Sequence, residues 1–279
     1  MPPDYAEILA RHGFTFSKAK GQNFIVNPGV CPRMASLSGA TKADGVLEIG
    51  PGAGALTRAL ADVAGKVVAV ELDARLLPVL KETLSDCDNV KIIHGDILAL
   101  DLQALLREQF GDRPVHVCAN LPYYITSPIL MRLLEARLPL VSITVMAQKE
   151  AADRLCAPMG SRACGAVTAA VAYYAEARQL FNVSRGSFYP VPNVDSAVLQ
   201  LKLRSAPPVD VPDEAFLFRL IRAAFAQRRK TIANAVSAGL AMEKSTVLAA
   251  MARADIPSEA RAETLTLESY ASLARELTP

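Results

Sequence analysis

A chain of 279 residues with 51% hydrophobic content can fill one large core and a smaller one, which excludes general disorder. A formal net charge of +2 does not by its sum announce a nucleic-acid binder, so any basic surface has to come from local clustering. No run reaches about 18 apolar residues, and Met1-Pro2-Pro3-Asp4-Tyr5 has no basic stretch leading into an apolar one. We therefore expect no membrane helix, no secretory signal and a cytoplasmic protein. Cys31, Cys87, Cys118, Cys156 and Cys164 form no Cys-x-x-Cys pair, and His12, His94 and His116 are scattered. Reduced thiols and no metal are the expectation.

Residues 4–13 have the pattern of a short amphipathic helix ending at Gly13. The basic run Ser17-Lys18-Ala19-Lys20-Gly21-Gln22-Asn23-Phe24 follows, either as a solvated tail or as a loop that orders over a ligand. Asn27-Pro28 then opens a helix, with Pro28 early in it.

Val46-Leu47-Glu48-Ile49 is a short apolar strand running into Gly50-Pro51-Gly52-Ala53-Gly54, after which Leu56, Ala59, Leu60 and Val63 keep helical spacing. Glycines let the main chain turn tightly and approach a ligand, and the helix that follows offers unpaired N–H groups. The next strand, Val67-Val68-Ala69-Val70-Glu71-Leu72, places a carboxylate where a βαβ unit holds the two hydroxyls of a ribose. Strand, helix and delayed acid together point to a nucleoside-containing cofactor. A nicotinamide dinucleotide formally fits too, through Gly50-x-Gly52-x-x-Ala55 and Glu71.

The alternation continues: residues 90–93 lead to His94-Gly95-Asp96-Ile97, residues 115–119 to Asn120-Leu121-Pro122-Tyr123-Tyr124, and residues 141–146 form another strand. Residues 76–84 and 102–110 are helical in pattern. Repeated β-α units predict an α/β domain with a mostly parallel sheet, helices on both faces and ligands at the carboxyl ends of its strands. Gly50, Glu71, Asp96 and Asn120 would then converge on one crevice. At Asn120 the amide carbonyl and a nearby main-chain carbonyl suit an exocyclic amine, and Tyr123 can offer its face to a flat ring. The plainer reading is a strand end and a Pro-Tyr turn. Tyr124 is assigned to packing.

Gln148-Lys149-Glu150 begins a helix-like run to Leu155, and a long apolar helix extends through Tyr173 and Tyr174, both assigned to the core. Phe188-Tyr189-Pro190-Val191-Pro192-Asn193-Val194-Asp195-Ser196 is a proline-stiffened loop before a strand at 197–203. It either connects elements or holds Phe188 against one face of a flipped base. Three prolines make 205–212 the linker, dividing a catalytic domain, 1–204, from a helical domain, 213–279. Asp213 caps a helix with Leu217, Leu220, Ile221, Ala224, Phe225 and Ile232 on its apolar face. At about 100° per residue, Arg219, Arg222, Arg229 and Lys230 share the opposite face, either a solvated one or a phosphate-contacting one. Arg228 projects near the apolar side and is expected to be partly buried and paired.

Read together, Gln22-Asn23-Phe24, Glu48-Ile49-Gly50-Pro51-Gly52-Ala53-Gly54, Glu71-Leu72-Asp73, Gly95-Asp96, Asn120-Leu121-Pro122-Tyr123, Gln148-Lys149-Glu150, Phe188-Tyr189-Pro190-Val191-Pro192 and Gln227-Arg228-Arg229-Lys230-Thr231 resemble, in order and over nearly the whole chain, the ribosomal RNA adenine dimethyltransferases. The type acting on small-subunit rRNA is the nearest in pattern. The resemblance implies a Rossmann-like, S-adenosylmethionine-dependent domain with a small all-helical C-terminal domain. It also implies dimethylation at N6 of two adjacent adenosines near the 3′ end of 16S rRNA, a role in subunit maturation and a monomer with no membrane partner. By the same resemblance, Asn23 and Ile25 would close over the cofactor, Gly50 would contact its methionine part, Glu71 would hold the ribose and Asp96 would read the adenine, with Gly52, Leu72, Ile97 and Asn120 also in the cofactor site. Asn120, Leu121, Pro122, Tyr123 and Phe188 would form the reacting centre, and Arg219, Arg222, Arg229 and Lys230 would touch RNA. Ile25 stands where leucine is more usual, and Asn193 where lysine is common. Rival readings are a dehydrogenase, a methyltransferase of another RNA and a non-enzymatic assembly factor.

Overall fold

The computed structural model describes residues 4–15, 23–227 and 229–278. Arg228 and residues 17–22 of the basic run lie outside the described residues, and so do the expectations placed on them. The chain divides into two compact units, Met1–Ala152 with Arg178–Leu203, and Asp153–Ala177 with Arg204–Pro279.

In chain order the first unit carries α1 (Tyr5–Arg11), β1 (Phe24–Ile25), α2 (Val30–Leu37), β2 (Gly45–Ile49), α3 (Ala55–Val63), β3 (Lys66–Glu71), α4 (Leu77–Thr83), β4 (Val90–His94), α5 (Leu102–Phe110), β5 (Val115–Asn120), α6 (Thr126–Glu135) and β6 (Leu140–Gln148). Past α7 (Lys149–Leu155) and α8 (Ala166–Tyr174) come β7 (Ala175–Val183), β8 (Phe188–Tyr189) and β9 (Ser196–Leu203). The sheet order is β4-β3-β2-β5-β6-β9-β7. β2 is parallel to β3 and β5, β3 to β4, and β5 to β6, while β9 runs antiparallel to β6.

The near-continuous apolar runs explain this arrangement. Every residue of β2 is buried, as are the first five of β5, because helices cover both faces of the sheet. Pro28 precedes α2 instead of entering it, and the Asn27 side chain accepts from the Gly29 N–H at 3.0 Å. The strand order reverses between β2 and β5, which is where an open α/β sheet leaves a crevice at its carboxyl edge. Glu48 is in register with Cys118, so the chain leaves β2 at Gly50 beside the point where it leaves β5 at Asn120.

β7, and the two-residue pair β1–β8, escape the sequence reading. β7 reads Ala-Glu-Ala-Arg-Gln-Leu-Phe-Asn-Val, and as the end strand of the sheet it tolerates exposed polar residues where a central strand would show an apolar run.

The second unit contains α8, α9 (Glu214–Ala226), α10 (Ile232–Leu240), α11 (Lys244–Arg253) and α12 (Leu267–Leu277). The expected boundary, with 1–204 as one domain and 213–279 as the other, is therefore corrected: Asp153–Ala177 belongs with the C-terminal helices. The reason is aromatic packing. Tyr173 meets the Phe218 ring of α9 edge-on at 5.2 Å, Tyr174 stacks on it at 5.4 Å, and both hydroxyls donate to the Glu214 carboxylate at 2.9 and 2.8 Å.

Asp213 caps α9 as expected, accepting from the Phe216 N–H at 2.9 Å. The single helix extrapolated to Lys230 is also corrected. α9 ends at Ala226, the Lys230 N–H bonds to the Gln227 carbonyl at 2.9 Å, and α10 starts after Thr231. Arg219 and Arg222 thus stand on a helix, and Arg229 and Lys230 on the turn after it; all four are exposed. The two helices fold back on one another, and a Cβ at Gly239 would lie 2.6 Å from the Ala223 Cβ, so this close crossing requires glycine.

Candidate active site

A cavity of about 450 Å³ opens at the β2–β5 switch point. Its wall includes Asn23, Ile25, Gly50, Gly52, Glu71, Leu72, Asp96, Ile97, Asn120, Leu121, Pro122 and Tyr123, so four strand ends converge as the spacing predicts, and β1 joins them. The volume lies in the range of small-molecule and cofactor sites, roughly 300–1,000 Å³.

The turn after β2 takes positive φ at Gly50 (69°), Gly52 (60°) and Gly54 (93°), a conformation open to glycine and costly for other residues. A Cβ at Gly50 would meet nothing within 4 Å, so the main chain there borders open space in the cavity wall. A Cβ at Gly52 would stand 2.8 Å from Phe24 Cε1. Gly52→Ala is therefore expected to lower the unfolding free energy by about 1–2 kcal/mol through backbone strain, read as a shift in urea midpoint. An unchanged midpoint would show that the turn relaxes.

Glu71 ends β3 only 6% exposed. Its carboxylate accepts from the Asp73 N–H at 2.7 Å and the Gly52 N–H at 3.3 Å. Burial raises its pKa, against those N–H donors. Glu48, in the strand before the turn, is a residue that sequence reading passed over. It also lines the cavity, 1% exposed, and among the described residues its Oε2 has no hydrogen-bond partner. Burial, with the nearby Glu71 charge adding to it, pushes its pKa up to about 8.

The raised value has a sign that can be tested. A free glutamate ionises near pH 4.3, so from there up to about pH 8 the folded chain holds a proton that the unfolded chain has lost. Stability should fall as pH rises across that window, by at most about 1.4 kcal/mol per unit. Glu48→Gln should flatten the slope of urea midpoints measured between pH 5 and 8. An equal slope in the variant would assign it to other groups.

The corner after β5 is held from several sides. Asn120 Nδ2 donates to the Asn23 carbonyl at 3.2 Å, which orients the amide and makes Oδ1 its accepting end. The Pro122 carbonyl accepts from the Ile125 N–H at 3.1 Å and the Thr126 hydroxyl at 3.1 Å, closing the turn into α6. Tyr123 is half-buried, and its hydroxyl shares a 2.7 Å hydrogen bond with Ser196 Oγ of β9, which fixes the ring. Burial raises its pKa, keeping the phenol neutral. Tyr124 does not pack as expected; it is 62% exposed and borders the cavity, because the turn sends adjacent side chains apart.

Asp96 follows β4, and its Oδ1 accepts from the Leu98 N–H at 2.8 Å. Ile97 is buried beside it, and Leu72 is 53% exposed. Phe188 is where expectation and structure part. It is 1% exposed within the core cluster of Val30, Met34 and Val198, and it does not border the cavity. Tyr189, the next residue, does. α1 and the residues after it also supply wall through Leu9 and Phe14, which nothing in their local pattern announced.

The match to a family model described as Ribosomal RNA adenine dimethylase runs from residue 13 to 278. The chain belongs to that family. It is 48% identical to Ribosomal RNA small subunit methyltransferase A of Bacillus licheniformis over 275 residues, 97% of this chain and 94% of that one. Identity to the Geobacillus thermodenitrificans protein of the same name is also 48%, over 98% and 94% of the two chains. Among solved structures, a dimethyladenosine transferase from Plasmodium falciparum superposes with a TM-score of 0.74 at 26% identity, covering 90% of this chain and 95% of that one. The 23S rRNA methyltransferase ErmE does so at 0.69 and 27%, covering 91% and 99%. The protein is an S-adenosylmethionine-dependent enzyme that dimethylates adenine in ribosomal RNA. This settles the two cofactor readings of the glycine turn against the dinucleotide.

The cavity fits that cofactor. A turn without side chains at Gly50 suits close approach, Glu71 suits vicinal hydroxyls, and a buried Glu48 oxygen unpartnered among the described residues suits a ligand that donates a hydrogen bond.

Proposed function

We propose that this enzyme methylates N6 of two adjacent adenosines near the 3′ end of 16S rRNA, in the small ribosomal subunit or its precursor, as a cytoplasmic monomer that contributes to subunit maturation. The observation that carries this reading is the oriented amide of Asn120 at the mouth of a nucleoside-type crevice. The near full-length similarity to relatives named for the small subunit supports it.

S-adenosylmethionine, when bound, supplies an electrophilic methyl group on its sulfonium. Gly50 and Gly52 would border its methionine part, Glu71 would accept from its ribose hydroxyls, and Asp96 would accept from its adenine amine between Leu72 and Ile97. Asn23, just before β1, and Ile25 on it would cover it. The N6 lone pair of the target adenine is delocalised into the ring, so a planar amine is a poor nucleophile. Asn120 Oδ1 and the Leu121 carbonyl would accept its two N–H groups and favour a pyramidal nitrogen aimed at the methyl group. Pro122 holds the turn that presents both acceptors, and Tyr123 offers the base an aromatic face. No strong base is needed, because the methylated ammonium is acidic and loses its proton to water. In the second round one N–H remains, so only one acceptor is satisfied. Arg219, Arg222, Arg229 and Lys230 would contact phosphates.

The test is mass mapping of methylated adenosines in 30S particles incubated with the protein and isotopically labelled cofactor. We expect label in two adjacent adenosines near the 3′ end of 16S rRNA. Label elsewhere in the rRNA would move the substrate; none would sink the reading.

A further inference from the structure

Glu48 is the buried group that the methyl-transfer chemistry leaves without a task. It stands on β2 two residues before Gly50, 1% exposed in the cavity wall, and its Oε2 has no hydrogen-bond partner among the described residues. Its register with Cys118 of β5 turns its side chain to the sheet face that α2 and α3 cover. The groups around it do little for a charged carboxylate. Glu71 on β3 is a second acid, and Cys31 on α2 and Cys118 on β5 are thiols held protonated by burial and further by the Glu48 charge. The Thr57 hydroxyl on α3 is the neighbour that favours ionisation, and among the described residues no cation acts on Glu48. Asp73, beyond Glu71, is already engaged by Arg75 at 2.6 Å.

An acid kept neutral by burial ionises when a cation is set beside it, and an unpartnered carboxyl oxygen calls for an N–H. The methionine part of S-adenosylmethionine brings both in one group, its α-ammonium, whereas the sulfonium carries charge but no N–H. We infer that Glu48 is a cofactor-recognition residue that loses its proton to solvent as the α-ammonium takes up its open oxygen, so that cofactor binding and proton release are one event. The carboxylic O–H bond breaks, the proton leaves to bulk water, and the carboxylate accepts an N–H from the ammonium, which keeps its charge. The buried pair is neutral as a whole. The inference rests on Gly50 bordering the methionine part, as proposed above. It gives a residue behind the glycine turn a part in choosing ligands, because an adenosine compound without the ammonium gains nothing from ionising Glu48.

The experiment is titration calorimetry of the full chain in two buffers of small and large ionisation heat, which counts protons without any RNA present. The ligands are S-adenosylmethionine, S-adenosylhomocysteine and 5′-methylthioadenosine, of which the third lacks the ammonium. An opposite charge nearby lowers a carboxyl pKa by about 1–3, so from a value of about 8 binding at pH 7 should release about 0.4–0.9 proton with each of the first two ligands. By the same linkage, affinity for S-adenosylmethionine should rise about 3- to 20-fold from pH 6 to 7.5. 5′-Methylthioadenosine should release no proton and bind independently of pH. Glu48→Gln, which keeps an accepting oxygen, should bind S-adenosylmethionine with no proton release and a flat profile. Release that is absent with S-adenosylmethionine, that persists in Glu48→Gln or that is equal with 5′-methylthioadenosine overturns the inference, and the ligand panel on the unchanged protein decides it even where the variant does not fold. Gly50→Ala reads the placement separately, since it should weaken S-adenosylmethionine more than 5′-methylthioadenosine. An equal loss of both moves the methionine part away from the turn, a failure distinguishable from missing proton release.

Discussion

Asn120→Ala is expected to lose about 10²- to 10³-fold in methyl transfer to 30S particles while cofactor affinity falls less than about tenfold. Removing one preorganised hydrogen-bond partner of a transition state typically costs that much, and two features of this corner make the loss specific to chemistry. The amide donates to the Asn23 carbonyl at 3.2 Å, so its oxygen is held in place before the substrate arrives. The turn behind it is closed independently by the Pro122 carbonyl with Ile125 and Thr126, so truncating the side chain should leave Leu121 and Tyr123 where they are. The check is single-turnover transfer of a labelled methyl group alongside calorimetric titration of the cofactor. Equal losses in both would make Asn120 a cofactor-binding residue rather than a partner of the target amine.

Replacing Arg222 and Arg229 together with alanine should weaken binding to the subunit by about 10- to 100-fold near physiological salt and flatten its salt dependence. Each phosphate contact contributes roughly 0.7–0.9 to the slope of log affinity against log salt, so the pair should remove about 1.5. The two side chains are exposed, one on α9 and one on the turn after it, and the stretch between residues 215 and 242 contains no acid. Arg219 sits 3.8 Å from Asp213 and over the Phe216 ring at 5.4 Å. Filter binding across a salt series measures the slope. A double variant with the parental slope would return this face to solvation.

Several elements were legible from residues alone because their causes are local. Apolar runs at 46–49, 67–70 and 115–119 became parallel strands buried along their length, and 90–93 became the partly exposed edge strand of the same sheet. The glycines of the turn report their backbone directly, because positive φ at three positions within five residues is costly for any other side chain. Once the βα alternation is recognised, Gly50, Glu71, Asp96 and Asn120 must fall at one edge of the sheet, and they do. Asp213 capped α9 for an equally local reason.

What lay outside the sequence was settled by distant partners. Phe188 and Tyr189 are both aromatic and adjacent, and which one faces the cavity depends on pairing with a strand more than 160 positions earlier in the chain. Glu48 looked like an ordinary residue of a short strand; only the packing around it makes it a buried carboxyl with one oxygen unpartnered among the described residues. The basic residues were assigned to one helix because periodicity cannot see the turn at Gln227, which is imposed by α10 folding back until Gly239 touches Ala223. α8 joined the C-terminal helices through Tyr173, Tyr174 and Phe218, contacts that cross the expected linker. The sequence by itself determined the fold class and the sheet edge at which Gly50, Glu71, Asp96 and Asn120 gather, where residue type and spacing suffice. Tertiary structure decided which neighbour of a pair faces the ligand and where a unit ends, because both depend on contacts between residues far apart in the chain.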